Sequence, residues 1–122
     1  MFVNLSNHPS INWSNSQIKA ALQYGEIVDV TFPSILASGD ELYIRKLVND
    51  YKDQIKSRFN PLHDVIHVMG ELNFSFALVQ QLQKCGFVCL ASTSERIVKE
   101  SKPGYKEVIF EFVRFRVYEK RF

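Results

Sequence analysis

Cysteine is scarce in this chain: Cys85 and Cys89 are the only two among 122 residues. They lie on either side of Gly86, one at a helix end and one inside the next strand, so both read as reduced core residues rather than a disulfide or redox pair. Long hydrophobic runs are missing as well. Nothing approaches the ~20 apolar residues that span a bilayer, and no basic segment followed by an apolar stretch and a cleavage site opens the chain. The expectation is a cytoplasmic protein with no membrane partner. Charge of one sign is not in excess either, since 15 Lys/Arg against 13 Asp/Glu leave a net charge of +2. That is too little for a groove that holds long nucleic acid. Neither G-x-G-x-x-G nor G-x-x-x-x-G-K-[ST] occurs, so neither a dinucleotide enzyme nor a P-loop hydrolase is supported.

What is present is ordinary globular composition, with 46% apolar and 23% charged residues, and a length that fits one domain over 1–122. The charge is unevenly placed. From Arg96 onward the sequence carries eight Lys/Arg against four Glu, which either a solvated strand edge that resists aggregation or a ligand-attracting surface explains.

The periodicity alternates. Phe2 to Ser6 is a short β-prone run that Asn7, His8, Pro9 and Ser10 end. Ser14 and Gln17 form a capping-box pattern for a first helix with Ile18, Ala21 and Leu22 on one face and Gly25 as its stop. Residues 27–32 make a second strand closed by Pro33. Asp40 caps a second helix, in which Ile44, Leu47, Val48, Tyr51 and Ile55 recur at helical spacing. Val65 to Met69 is a third strand around His67, and Asn73 is the expected cap of a third helix that Gly86 stops. A fourth strand covers 87–91. Residues 92–106 read as a polar connection containing the Pro103-Gly104 turn, and a last strand runs from about 108 to 118.

This β-α-β-α-β-α-β-β order implies right-handed parallel crossovers in a three-layer, Rossmann-like α/β sandwich. The expected strand order is 2-1-3-4, with the C-terminal strand antiparallel beside strand four. In such a sheet the crevice between strands one and three at their carboxyl ends is the default site. Its lips are Asn7 to Ser10 after strand one, Gly70 to Asn73 after strand three, and Ser92 to Arg96 after strand four. Helix N-termini and hydroxyls there can receive phosphate, with Arg96 or Lys106 as fixed positive charge. Taken singly, each loop is also explained by turn and capping chemistry.

Other chemistry is disfavoured. His63 and His67 are four apart but do not share a helix, so no metal site is expected, and no cofactor is implied. His67 reads as a satisfied core histidine, and His8 is the histidine placed where catalysis can occur. Trp13 and Ile11 read as packing around the first helix cap. The aromatic last strand either packs on strand four or forms a homodimer interface.

The segments FVNLSNHPS, WSNSQ, GEIVDVTFP, HVMGELNF and STSER resemble those of small single-domain CARF-like accessory proteins associated with type III CRISPR systems. The resemblance rests on element order and loop character rather than on a diagnostic motif. It implies binding of a cyclic oligoadenylate second messenger at the carboxyl edge of the sheet, across a dimer two-fold, with ring cleavage in some members. Ligand contact then falls to Asn7, Ser10, Gly70, Glu71, Asn73, Ser92, Thr93 and Ser94. His8 becomes the acid or base, and Arg96 or Lys106 the stabiliser of phosphorane charge, in a metal-independent attack by the ligand's own 2′-hydroxyl. A non-catalytic homodimeric interaction or sensor module is the alternative.

Overall fold

The computed structural model describes residues 1–120; Arg121, counted above in the basic tail, lies outside the described residues. The elements are β1 (Phe2–Ser6), α1 (Asn15–Leu22), β2 (Ile27–Asp29), α2 (Glu41–Arg58), β3 (Val65–Met69), α3 (Leu72–Lys84), β4 (Val88–Lys102) and β5 (Tyr105–Val117), with a 3-10 turn at Ser10–Asn12 before α1. One five-stranded sheet has the order β2-β1-β3-β4-β5. It is parallel except for the antiparallel pair β4 and β5, so the α/β class and the strand order agree with the sequence pattern.

Alternation along β1 builds both outer layers. Val3 and Leu5 join the larger core with Ile66, Val68 and the apolar faces of α2 and α3, whereas Phe2 joins Ala21 of α1, Leu90 and Phe115 on the opposite face. Every residue of β1 is buried. Caps set the helix starts: the Ser14 hydroxyl accepts from Gln17 N, and the Asp40 carboxylate accepts from Tyr43 N at 2.9 Å. Each satisfies an amide that the helix itself leaves without a partner.

Three expectations are corrected. β2 ends at Asp29 instead of residue 32. Val30 N still donates to Asn4 O at 2.9 Å, but the chain leaves the sheet before Pro33. The cap of α3 is Glu71, whose carboxylate accepts from the backbone of Asn73 and Phe74. Asn73 therefore lies inside the first turn. The largest difference is β4, which runs on to Lys102, so Ser92 to Arg96 are strand residues rather than a loop. The polarity of this stretch hid its strand character. Thr93, Ile97 and Val98 are β-branched, no turn residue interrupts them, and β5 supplies a partner along the whole length. The hairpin closes only at Pro103-Gly104, where Gly104 has φ 83°.

β4 and β5 thus form a ribbon that outruns the sheet. β3 pairs with β4 only as far as Leu90, while β5 pairs with it out to Lys102. A register shift between Thr93 and Ser94, opposite Arg114 and Phe112, leaves Val113 as the extra residue. The bulge puts both Phe112 and Phe115 on the α1 side, where their rings are 4.9 Å apart.

Candidate functional site

Asp29, Asn4 and His67 occupy one register row across β2, β1 and β3. Asn4 and His67 are each only 1% exposed, and buried polar groups in apolar strands require partners. The Asn4 Nδ2 donates to Asp29 Oδ1 at 2.8 Å and to the His8 carbonyl at 3.0 Å. Both partners are acceptors, which fixes the amide orientation. Asn4 Oδ1 then faces His67 Nδ1 at 2.9 Å and must receive its proton. The Ser6 hydroxyl donates to the same Oδ1 at 2.7 Å. His67 is consequently the Nδ1–H tautomer, with a bare lone pair on Nε2.

That Nε2 is buried and has no hydrogen-bond partner. The sequence-based expectation of a satisfied core histidine holds for one ring nitrogen and fails for the other. Phe2 stacks on the imidazole at 5.7 Å, and Trp13 and Phe115 stand nearly perpendicular to it at 5.5 and 5.3 Å. Burial among these rings pushes the His67 pKa down to about 4. The ring is neutral at physiological pH.

The imidazole borders a cavity of about 960 Å³ on the α1 side of the carboxyl edge. Its walls are the loop after β1, the amino end of α1, the end of β3 and the inner third of the ribbon. The loop is held firmly. The His8 carbonyl accepts from Asn4 Nδ2 and Trp13 Nε1, the His8 amide donates to Ser6 Oγ at 3.3 Å, and Asn7 N donates to Met69 O at 3.1 Å. Asn7 to Ser10 is therefore both a strand stop and a rim.

Of the residues singled out from sequence, Asn7, His8, Gly70, Ser92, Thr93 and Ser94 meet at this cavity. Ser10 does not line it, because its hydroxyl and amide are engaged by the Asp29 carboxylate at 2.8 and 3.2 Å. Glu71 and Asn73 are outside it as well, one capping α3 and the other within that helix's first turn. Arg96 is exposed on the ribbon opposite Phe110, and Lys106 is further out, opposite Glu100 and next to the turn. The three residues proposed for catalysis are thus separated, since only His8 is at the cavity. Gly70 has a packing reason of its own: a Cβ there would stand 2.2 Å from the Phe32 ring.

Sequence reasoning missed the α1 side of the site, namely Trp13, Ser14, Ser16 and Gln17, and the ribbon residues Phe110 to Phe112. Ile11, read as packing with Trp13, is 88% exposed, while Trp13 packs on Phe2 and His67. One legible signal pointed to His67: a polar residue in the middle of each of two largely apolar strands, Asn4 and His67, which the parallel register then sets side by side.

The lining is rich in neutral donors and has Trp13, Phe110 and Phe112 as aromatic surface; among the described residues that form it there is one carboxylate, Glu111, and no Lys or Arg. No cluster of His, Cys, Asp or Glu suited to a metal occurs among the described residues. Burial raises the Cys89 thiol to about 12, so it is not a nucleophile at neutral pH.

A family model described as "Uncharacterized protein MJ1673 family" matches residues 1–116. The chain belongs to the MJ1673 family. The matched span takes in every wall of the cavity and both strands of the ribbon through Arg116, so in MJ1673-family terms the ribbon is part of the domain rather than an appendage. No curated protein and no solved structure matches the chain. No helix among the described residues is long and apolar enough to cross a membrane.

Proposed function

We propose that the cavity at the carboxyl edge binds a cyclic oligoadenylate, the ligand class implied by the resemblance to CARF-like accessory proteins. One observation carries the reading: three separated segments, Asn7-His8, Gly70 and Ser92 to Ser94, border a single cavity of about 960 Å³. That volume is within the ~300–1,000 Å³ usual for small-ligand sites. Amides and hydroxyls can hydrogen-bond base edges, ribose and phosphate, and aromatic rings offer stacking surface. Negative charge on the ligand is met by neutral donors and the amino end of α1, with Arg96 on the neighbouring stretch of ribbon, and the Glu111 carboxylate on the ribbon wall directs phosphate toward the α1 side. Ring cleavage by the ligand's own 2′-hydroxyl is the catalytic extension, with His8 as its acid or base; Lys106 has no part in it.

The test is calorimetric titration with cyclic tri-, tetra- and hexaadenylate, followed by chromatography of the products. Binding of at least one ring supports the proposal, and a linear product adds cleavage. No heat and no product with any ring refutes it.

A second reading, a homodimer formed through the ribbon, is favoured by a specific feature. Val98, Tyr105, Val108, Phe110 and Val113 are all exposed on a two-stranded extension, and an open edge of this kind invites a partner strand. Light scattering across a concentration series checks it; a mass of one chain at every concentration removes it.

A further inference from the structure

We infer that His67 Nε2 is the acceptor that selects an uncharged N–H or O–H donor of the bound nucleotide, either a base amine or a ribose hydroxyl. The inference rests on the cavity being a nucleotide site and adds the group that reads the ligand. Its geometry is fixed from behind. Asp29 orients the Asn4 amide, Asn4 Oδ1 takes the Nδ1 proton, and the lone pair is left on Nε2. An acceptor in this position repels a phosphate oxygen or a keto group, which present only lone pairs, and attracts an amine or hydroxyl. Protonation would reverse that preference, but burial among Phe2, Trp13 and Phe115 keeps the ring neutral. The residue is only 1% exposed yet borders the cavity, and Nε2 is without a partner. An unpaired buried acceptor of this kind gains more from a ligand donor than a solvated one does, because no water bond is given up.

Trp13 is the side chain that a ligand must move to reach Nε2. Its ring stands 5.5 Å from the imidazole, it lines the same cavity, and its indole N–H is held by the His8 carbonyl at 3.0 Å. The donor reaches Nε2 as the indole swings aside. Since Trp13 is the only tryptophan in the chain, its fluorescence reports that movement.

The experiment compares a cyclic oligoadenylate with two analogues of the same ring size, one with unsubstituted purine riboside for adenosine, which lacks the base amine and gains no new donor, and one with 2′-deoxyribose. Wild type and His67→Phe, which keeps a ring against Phe2 and Trp13 but has no acceptor, are titrated in parallel. The expected result is a loss of about tenfold or more in wild type with one analogue, and no preference in His67→Phe. The analogue that loses affinity identifies amine or hydroxyl as the donor. Equal wild-type affinity for all three ligands, or the same preference retained in His67→Phe, overturns the inference while leaving the cavity as a nucleotide site. Failure of every ring to bind wild type removes both. If His67→Phe does not fold, the nitrogen resonance of His67 Nε2 in wild type decides. A shift on saturation that is absent with one analogue supports the inference, and an unmoved resonance overturns it.

Discussion

In the body of the domain, all five residues of β1 are buried and the strand is paired on both sides, by β2 and β3. In the outer ribbon every residue from 98 to 108 is exposed, and among the described residues the two strand segments there pair only with each other. Backbone pairing runs through both regions, interrupted in the outer ribbon by a register shift between Glu100 and Lys102, so hydrogen bonding alone does not set them apart. Burial does. A two-stranded hairpin in water is marginally stable unless a third strand or a packed face supports it. Phe112 and Phe115 give that support at the base of the ribbon, and the outer part has cross-strand pairs such as Lys99 with Glu107 and Glu100 with Lys106. Exposed pairs of this type contribute little. Nearer the cavity, Glu95 stands directly opposite Glu111, a like-charge pairing that weakens the ribbon. The cavity lies at the junction, with rigid walls from β1 and β3 and one wall from the less stable element. Such a wall can adjust to a ligand at small cost.

The widest contrast between the regions comes from the core. Phe74 is fully buried, with Phe32 and Tyr51 edge-on to its ring at 5.3 and 5.5 Å. Phe74→Ala is expected to lower unfolding stability by about 3 to 5 kcal/mol in urea titration. A loss below about 1 kcal/mol would mean the body is no better packed than the ribbon.

Acid should divide the body along its polar row. Free histidine titrates near 6.5 and folded His67 at about 4, so between these values the unfolded chain binds the extra proton. Stability is therefore complete above pH 6.5 and declines as pH falls toward 4, by about 3 kcal/mol from this residue. Asp64 acts in a lower window. The hydrogen bond from the N-terminal ammonium leads in holding its carboxyl below 3.8, and its contribution is lost only as pH falls beneath that value. Denaturant midpoints measured from pH 7 to 4 should decline in wild type and stay flatter in His67→Phe. Parallel curves would show that His67 is not buried as described.

Asn4→Ala removes the shared partner of Asp29 and His67 and leaves the Nδ1–H without an acceptor. A cost of about 1 to 3 kcal/mol is expected, with the indole of Trp13 reporting the altered surroundings by fluorescence. An unchanged midpoint and spectrum would dissolve the link between the row and the cavity wall.

The smallest effect should come from the ribbon. Phe110→Ser, at a residue 67% exposed, is expected to change stability by less than about 0.5 kcal/mol. Amide exchange over residues 95–111 should be faster than over β1 and β3 by orders of magnitude. Slow exchange there, or a large loss from Phe110→Ser, would show that the ribbon is packed against a second chain.

The architecture was legible wherever local chemistry and burial act together. Capping by Ser14 and Asp40, the helical spacing of Ile44 to Ile55 and the apolar runs at 2–6 and 65–69 each have one good physical solution, and alternating order then restricts the topology. Polarity misled at 92–102, because a ribbon exposed on both faces resembles a loop in composition. Only its partner strand distinguishes the two. Likewise Asn73 has the residue type that caps helices by preference, yet the backbone path begins α3 at Leu72 and leaves Glu71 to accept from its first amides.

The order of residues by itself determined the α/β class, the strand sequence and the candidate rims at Asn7-His8 and Gly70, because propensity, periodicity and chain chirality are local and short-range properties. Tertiary structure alone decided that Asp29, Asn4 and His67 share a row, that Trp13 stands edge-on to the imidazole, and that Arg96 and Lys106 ride on a ribbon instead of entering the cavity. Those outcomes depend on the register between strands 25 or more residues apart and on where a hairpin turns. Register is set by the packing of the whole sheet, and a one-residue slip turns every side chain to the opposite face.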